Sequence, residues 1–435
     1  MVLSPEPDPS ASATAPHQML SLAKFSMGIG DRFGREGSAQ LAAFLAARER
    51  GVTITPVWNK SNREHSLIGT RPEDVRAEAD AACAAGNWAG AHFVDADHIA
   101  LGSVDKFLAV SDFFTIDVAD AIGVEAPDAS IAACAADLTH LVGALEVPGL
   151  GEPLDLSKSS LLQLARKYLT AVEEAGRVYR HIAERKDAHR FVTEVSFDEA
   201  STPQTPAELL FILAALARER VPVATVAPKF TGEFLKGIDY VGDVAKFSRE
   251  FEDDLAVVAF AKRGLGLPES LKLSIHSGSD KFSLYPIIQR ALARTGAGVH
   301  LKTAGTTWLE EVLGVAEGGG DGLAFAKRLY REALARYDEM AKPYATVIAI
   351  DRGKLPSPDQ VDAWTSADFV AALAHDTACP RYNLHVRQLV HISFRIAAEK
   401  QQQWLALLDA HRSTVERRVC HNILKRHIEP LFLGA

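Results

Sequence analysis

The sequence has few cysteines, and they form no cluster. Its four cysteines, Cys83, Cys134, Cys379 and Cys420, are widely separated among 435 residues and form no CxxC pair. This spacing indicates neither a cysteine zinc site nor a disulfide framework, so we expect a reducing compartment, the cytoplasm. Residues 1–20 hold no apolar segment flanked by positive charge, and we expect a disordered tail there rather than a signal peptide.

Long basic runs and long apolar runs are also absent from the sequence. Its 56 acidic residues outnumber its 47 basic residues and give a formal net charge of −9, which argues against nucleic-acid binding. No stretch approaches the length of a transmembrane helix, so we expect no membrane partner. A small-molecule partner is therefore favoured, and the oligomeric state stays open, a homo-oligomer included.

What the sequence does contain is a regular alternation of two apolar patterns. Runs rich in Val, Ile, Phe and Thr alternate with segments whose apolar residues have helical spacing. The predicted strands are 25–31, 53–58, 92–97, 113–118, 191–197, 223–230, 271–277 and 299–303. Helices are predicted at 38–50, 71–85, 206–220, 241–262 and 285–295, among others. Eight strands separated by helices predict an α/β fold, a closed parallel β/α barrel.

Two parts of the chain do not fit the simple alternation. The connection at 119–190 is too long for one barrel helix, and it holds helical patterns at 129–145 and 159–185. After Thr306 the pattern is helical to the end. We therefore expect a barrel at 21–345 with a helical insertion at 125–188, followed at 346–435 by a C-terminal helical extension that covers the barrel mouth or a partner subunit.

Polar side chains close nearly every predicted strand, at the end where a β/α barrel places its active site. Any one of them alone fits a helix cap or a surface ion pair, but their joint appearance indicates chemistry. Among them, His98, Glu194 and His276 offer imidazole and carboxylate ligands, so we predict that they share a metal ion. The strand-closing residues are Asp31, Arg32, Asn59, Lys60, Asp95, Asp97, His98, Asp117, Glu194, Lys229, His276 and Lys302.

A second set of polar residues is suited to an oxygen-rich ligand. The loops after the seventh and eighth strands combine glycine with hydroxyl side chains, and the segment after the second strand offers amides and cations for hydroxyls and a carboxylate. Tight turns with helix-capping side chains explain the loop residues equally well. The substrate-binding candidates are Asp31, Arg32, Asn59, Lys60, Arg63, Ser277, Ser279, Thr303 and Thr306.

Six longer segments carry a resemblance to a known family. They are FSMGIGDRFG, TPVWNKSNREH, FVDADHI, FFTIDVAD, SIHSGSDKFS and HLKTAGTTWLEE. Through them, and along nearly its whole length, the sequence resembles the tagaturonate epimerase family of bacterial hexuronate catabolism. The resemblance implies a metal-dependent isomerase that interconverts D-tagaturonate and D-fructuronate, two sugar acids that differ at C4.

A more distant resemblance concerns the metal-dependent class II aldolases, which are also β/α barrels. Their third strand ends in Asp-His and their seventh in His-Gly-Gly-Ser, where this sequence has Asp97-His98 and His276-Ser277-Gly278-Ser279. The resemblance implies that Asp97 is the acid/base and that His98 and His276 bind the metal. The third aldolase histidine has no counterpart here, so we expect Glu194 to complete a site for zinc, manganese or nickel.

The chemistry at C4 favours the same mechanism. In these keto sugar acids the C4 hydrogen is β to the ketone, so simple deprotonation is not available. We therefore expect retro-aldol cleavage and recombination, with Asp97 moving the C4 hydroxyl proton and Lys229 and Lys302 stabilising negative charge. The alternatives are a lysine Schiff base, an aldolase that releases both fragments, an isomerase that moves a proton next to the carbonyl, and a sugar-binding barrel without catalysis.

Overall fold

The computed structural model describes residues 20–434, and it confirms the closed eight-stranded parallel barrel. All eight predicted strands are present, and they pair in chain order until the last returns to the first. The predicted tail at 1–20 lies, apart from Leu20, outside the described residues. The strands are β1 (Phe25–Ile29), β2 (Ile54–Ser61), β3 (Phe93–Ile99), β4 (Phe113–Asp117), β5 (Gly143–Leu145), β6 (Leu154–Leu156), β7 (Val192–Ser196), β8 (Val223–Ala227), β9 (Lys272–His276) and β10 (Val299–Lys302).

The interior of the barrel has an apolar end and a polar end. Val57, Phe93, Phe113, Val192 and Ala224 come from five different strands and form one buried apolar cluster. Since successive side chains of a strand point to opposite faces, the next inward positions of β2, β3, β4 and β7 lie two residues later, where all four side chains are polar: Asn59, Asp95, Thr115 and Glu194. The apolar layer therefore closes the barrel below the carboxyl ends of the strands.

Helices follow the strands as the periodicity predicts. Helix α6 shows how local signals fix a start: Thr205 and Glu208 form a reciprocal capping box, and Pro206 occupies the first turn. The helices of the barrel and its insertion are α1 (Gly37–Glu49), α2 (Asn62–Ile68), α3 (Pro72–Ala85), α4 (Asp128–Asp137), α5 (Lys158–Ala183), α6 (Pro206–Arg218), α7 (Val244–Gly264), α8 (Tyr285–Thr295) and α9 (Thr306–Glu317).

The insertion after β4 is helical, as predicted, but its first helix is shorter than expected. Helix α4 ends at Asp137 rather than near residue 145, and β5 pairs with β6 as a small antiparallel sheet. Gly143 adopts a φ of 121°, a conformation that no right-handed helix contains. The prediction of one helix over 129–145 was therefore wrong in its second half.

The C-terminal region is helical and folds back onto the barrel. Helix α17 packs against α1 and α9, the last segment packs against α1 and α8, and α15 contacts α2 beside the barrel mouth. No helix within residues 20–434 is both long and apolar enough to cross a membrane. The elements of this region are α10 (Gly320–Ala335), α11 (Tyr337–Ala341), α12 (Pro358–Asp362), α13 (Ser366–Leu373), α14 (Leu384–Ile392), α15 (Phe394–Glu399), α16 (Gln401–Ala410), α17 (Arg412–His421) and a π-helical segment (Asn422–Leu433).

Candidate active site

Lys302 lies at the centre of a buried ionic cluster inside the barrel. Its Nζ is 2.8 Å from Asp95 Oδ2, 2.7 Å from Asp97 Oδ1 and 3.2 Å from Glu194 Oε1. Nζ also donates to Thr115 Oγ1 at 2.7 Å. Since β10 lies opposite β4 in the barrel, the contact between Lys302 and Thr115 crosses the barrel interior. We call these five residues the Lys302 cluster.

The ionisable groups of the Lys302 cluster differ in their pKa values. Although burial favours the neutral amine, Asp95, Asp97 and Glu194 hold the pKa of Lys302 well above its usual range. Burial opposes ionisation of Asp97 too, yet Lys302 and His98 lower its pKa to about 2. Burial dominates at Asp95 and raises its pKa to about 7. At neutral pH the cluster therefore contains a charged ammonium group beside an ionised Asp97.

A second set of side chains lies next to this cluster, at the barrel mouth. His98, Asp198 and His276 each offer a ligand atom, and these atoms all lie within 4.8 Å of one another. The imidazole rings of His98 and His276 are 5.2 Å apart and nearly perpendicular. We call these three residues the ligand group. Two imidazoles and one carboxylate are a donor set that divalent first-row metals accept.

The hydrogen bonds around the ligand group fit a metal site. His98 Nδ1 lies 2.9 Å from Asp117 Oδ2, which fixes the ring and directs Nε2 into the group. His276 Nε2 is bonded to Glu194 Oε1 at 2.7 Å. His276 Nδ1 lies 3.1 Å from Asp198 Oδ2, so these two atoms are close enough to bind one cation.

The carboxylates around these two imidazoles produce a negative potential. Burial lowers the pKa of each histidine, but Asp97 and Asp117 raise that of His98 to about 10. Asp198 and Glu194 likewise raise that of His276 to about 9. A divalent cation bound between the rings would neutralise this excess of negative charge.

His98 reaches the site through an irregular end of β3. The register of β3 against β4 shifts between Ala96 and Ile99, and His98 adopts a left-handed φ of 50°. A residue other than glycine rarely adopts this conformation, and such strain is concentrated at functional sites. The irregularity turns the side chain toward the barrel mouth, where a regular strand would alternate it outward.

The structure places the predicted metal and catalytic residues close together, with one addition. Glu194 is not a member of the ligand group, because its carboxylate contacts His276, Lys302 and Thr225. Asp198 occupies that third place. It lies two residues beyond the end of β7 and one residue beyond the end of the predicted strand. The sequence signal that could have identified it is the pair of acidic residues directly after Phe197.

Lys229 lies beside the ligand group rather than in the Lys302 cluster. Its Nζ donates to the backbone oxygen of Asp198 at 3.3 Å, and its backbone N–H donates to Gln204 Oε1 at 2.7 Å. The side chain therefore supports the loop that carries Asp198.

The substrate-binding candidates on β1 and β2 form one wall of the mouth. Asp31 is buried and accepts backbone hydrogen bonds from Phe33 at 2.8 Å and from Arg35 and Glu36, so it shapes its own loop. Arg32 pairs with Glu64 at 3.2 Å. Asp31 and Arg32 are therefore already bonded within the protein.

The other candidates on this wall have fewer partners. Lys60 Nζ donates to the backbone oxygen of Arg32 at 3.1 Å, and the buried Oδ1 of Asn59 has no hydrogen-bond partner among the described residues. Arg63 is exposed and lies over the ring of Tyr344, 5.5 Å from its centroid. Asn59 and Arg63 therefore retain groups that a ligand can use.

The candidates after β9 and β10 hold loops together. Ser277 Oγ donates to the backbone oxygen of Lys302 at 2.8 Å, and Ser279 Oγ accepts from the N–H of Gly237 at 2.9 Å. Thr303 Oγ1 lies 3.2 Å from His427 Nε2, and Thr306 donates to Asp280. Their hydroxyls are engaged by the protein, as expected for capping and turn residues.

Asp280, in the loop after β9, organises a second ionic cluster that sequence reasoning did not identify. It lies 2.7 Å from the Nη2 atom of Arg387, 3.0 Å from Nδ1 of His375 and 3.5 Å from Nε2 of His427. With Thr306, these residues form what we call the Asp280 cluster. It ties the loop after His276 to three separate parts of the C-terminal region.

Comparison with known proteins gives consistent matches. A model of the tagaturonate epimerase family matches residues 11–431. A tagaturonate/fructuronate epimerase of Thermotoga maritima is 28% identical over 422 residues, which cover 93% of this chain and 80% of the relative. A glycerol-bound crystal structure of a fructuronate-tagaturonate epimerase from Cohnella laeviribosi has a TM-score of 0.78 at 24% identity, over 95% of this chain and 82% of that one. The native crystal structure of that enzyme gives a TM-score of 0.76.

Proposed function

Because the chain belongs to the tagaturonate epimerase family, we propose that it interconverts D-tagaturonate and D-fructuronate by inverting C4. The observation that carries this proposal is the family match over nearly the whole chain. The Lys302 cluster and the ligand group support it, because they bring an ionised carboxylate, an ammonium group and metal-capable side chains to the mouth of one barrel.

We further propose that His98, Asp198 and His276 hold a divalent metal ion, with zinc, manganese and nickel as the candidates. The ligand-group geometry favours Asp198 over Glu194 as the carboxylate ligand. Glu194 then does not bind the metal; it accepts a hydrogen bond from His276 and orients that ligand. A divalent ion bound there would act as a Lewis acid toward the oxygens of the keto sugar.

The residues of the Lys302 cluster suit retro-aldol cleavage of the C3–C4 bond. Asp97 accepts the C4 hydroxyl proton, the bond electrons remain on C3, and C4 becomes an aldehyde. The aldehyde fragment turns its other face, C3 attacks it, and Asp97 returns the proton. The pKa of Asp97, lowered to about 2, keeps the carboxylate ionised before the reaction and favours return of the proton, while it makes Asp97 a weak base in the first step. The Lys302 ammonium is 2.7 Å from Asp97 and stabilises the negative charge that develops beside it.

The electrostatics argue against an imine formed by Lys302. A lysine must lose its proton before it attacks a ketone. The carboxylates around Lys302 overcome the effect of burial and raise its pKa, so the amine stays protonated. The retro-aldol route uses Lys302 as a cation, which is the form that this environment stabilises.

Proton NMR of the purified protein with D-fructuronate tests the proposal. The chelator-treated protein should be inactive, and one of zinc, manganese or nickel should restore formation of D-tagaturonate. His276→Ala should stay inactive with every metal. The control is His92→Ala, which should behave as wild type, because His92 lies at the amino end of β3 and pairs with Asp80.

The remaining outcomes discriminate between reactions. Accumulation of free fragments would indicate an aldolase, and solvent deuterium next to the carbonyl would indicate proton transfer by an enediol route. Retro-aldol epimerisation leaves C4 unlabelled. Absence of turnover with all three metals would overturn the proposed substrate pair.

A further inference from the structure

Lys236, in the loop between β8 and α7, lies directly above the turn that follows His276. Its Nζ comes so close to Gly278 that a methyl group on that glycine would lie 3.1 Å from it. Gly278 adopts a φ of 65°, so the turn itself favours glycine. Neither the sequence motifs nor the reaction described above assigns a role to this lysine.

The Lys236 ammonium has no partner among residues 20–434, where its Nζ forms neither a hydrogen bond nor an ion pair, although the residue is half-buried. Every other lysine that reaches the site is engaged: Lys302 with carboxylates, and Lys60 and Lys229 with backbone oxygens. A half-buried ammonium that meets no acceptor of the protein is available to bind an anion.

The backbone around Lys236 is held in place from two sides. Its N–H donates to the Val347 oxygen at 2.8 Å, and its carbonyl accepts from Gln388 Nε2 at 3.2 Å. The next residue, Gly237, donates to Ser279 Oγ at 2.9 Å. The lysine is therefore presented by a fixed loop, which lowers the entropic cost of binding a ligand.

Two arginines and two carboxylates act on Lys236, and one of the carboxylates is already paired with an arginine. Burial lowers the pKa of Lys236 first, and the positive charges of Arg63 and Arg32 lower it further. Glu64 is the opposing charge, but it is paired with Arg32 at 3.2 Å. Asp198 of the ligand group also acts on Lys236, which places the ammonium within electrostatic range of the metal-capable side chains.

We propose that Lys236 is a specificity-determining residue that binds the carboxylate of the substrate, with Arg63 and Arg32 adding positive potential. This inference rests on the proposed function. In a 2-keto-hexuronate the carboxylate is at C6, so after C3–C4 cleavage it belongs to the three-carbon aldehyde fragment. A cation on that carboxylate retains the fragment while C4 turns its other face, which separates epimerisation from release of both fragments.

The test compares Lys236→Met, Lys236→Arg and Lys354→Met, an exposed lysine of the C-terminal region, with the wild type. Lys236→Met should raise the KM for D-fructuronate about 10- to 100-fold, the loss expected for one charge-assisted hydrogen bond, with a smaller change in kcat. It should also release dihydroxyacetone and tartronate semialdehyde, which NMR detects. Lys236→Arg should restore most of the affinity, and Lys354→Met should match the wild type.

Calorimetry with the metal-free proteins keeps the two proposals separate. If the wild type loaded with zinc, manganese or nickel does not convert D-fructuronate, the proposed function fails. The Kd ratio between metal-free wild type and metal-free Lys236→Met still decides the role of Lys236. Equal Kd values, or equal losses for D-fructuronate and uncharged D-fructose, would overturn it. A variant with a lowered Tm and no change in KM would identify a structural role instead.

Discussion

Two ionic clusters flank the end of β9, and they differ in how completely their charges are satisfied. Asp280 and Arg387 are both 0% exposed, and each charged group of the Asp280 cluster meets a partner within the cluster. The ligand group lies on the other side of the same loop. There the His98 and Asp198 side chains are 24% and 22% exposed.

The difference distinguishes structural charge from functional charge. A closed network excludes water and fixes one geometry, so its loss is expected to affect folding. An open network keeps ligand atoms available and stays in contact with the barrel mouth. Both contain histidines and carboxylates at similar spacing, so residue type alone does not separate them. Three predictions test this contrast.

The largest effect on stability is expected in the closed cluster. Arg387→Met leaves Asp280 buried without its main counter-charge, which should lower the free energy of unfolding by about 3–5 kcal/mol in urea titrations. Adding Asp280→Asn should recover part of this loss. Arg331→Met, which removes an exposed ion pair with Asp362, should cost less than about 1 kcal/mol. A similar small cost for Arg387→Met would erase the contrast between the clusters.

An intermediate effect is expected in the open cluster. Asp198→Asn should weaken zinc binding about 100-fold, because it removes a proposed ligand. Glu194→Gln, which changes only the support of His276, should weaken it about tenfold. Competition with a chromophoric chelator measures both values. The reverse order would restore Glu194 as the third ligand and remove Asp198 from the group.

The smallest effect, when it is counted per pH unit, concerns how far the polar region extends into the barrel. His300 lies below Lys302 with its Nδ1 2.9 Å from Ser26 Oγ, and burial lowers its pKa from 6.5 to about 3. Because the unfolded chain binds the proton that the folded chain excludes, this group stabilises the fold fully above pH 6.5.

As the pH falls from 6.5 toward 3, that stabilisation should decline by about 1.4 kcal/mol per pH unit. The comparison is between unfolding free energies of the wild type and His300→Gln at several pH values. The exposed His189→Gln should retain the wild-type slope. Parallel curves for wild type and His300→Gln would mean that water reaches this layer of the barrel.

The sequence was sufficient to predict the barrel because strand and helix patterns are local. Each strand carries its own β-branched or aromatic run, and helix α6 carries its own cap. The site residues at the strand ends were predicted because a β/α barrel places its active site at the carboxyl ends of its strands. Asp97, His98, His276 and Lys302 were predicted as site residues in this way, and the structure places all four near one another.

The contacts that could not be predicted are those without a local signal. Asp198 lies after the regular strand, and Lys236 lies in a loop whose position is set by Val347 and Gln388. The register shift that reorients His98 depends on pairing with β4, not on its own residue type. Asp280 meets Arg387 across 107 residues, a separation that no periodicity reports.

That separation has a consequence for the order of events during synthesis. The loop that follows His276 emerges well before Arg387 and His427, its partners in the Asp280 cluster. A nascent chain can therefore assemble the strands of its barrel while this loop still lacks its anchors. We expect catalytic competence to appear only after Arg387 and His427 leave the ribosome, so that translation products that stop before His427 stay inactive.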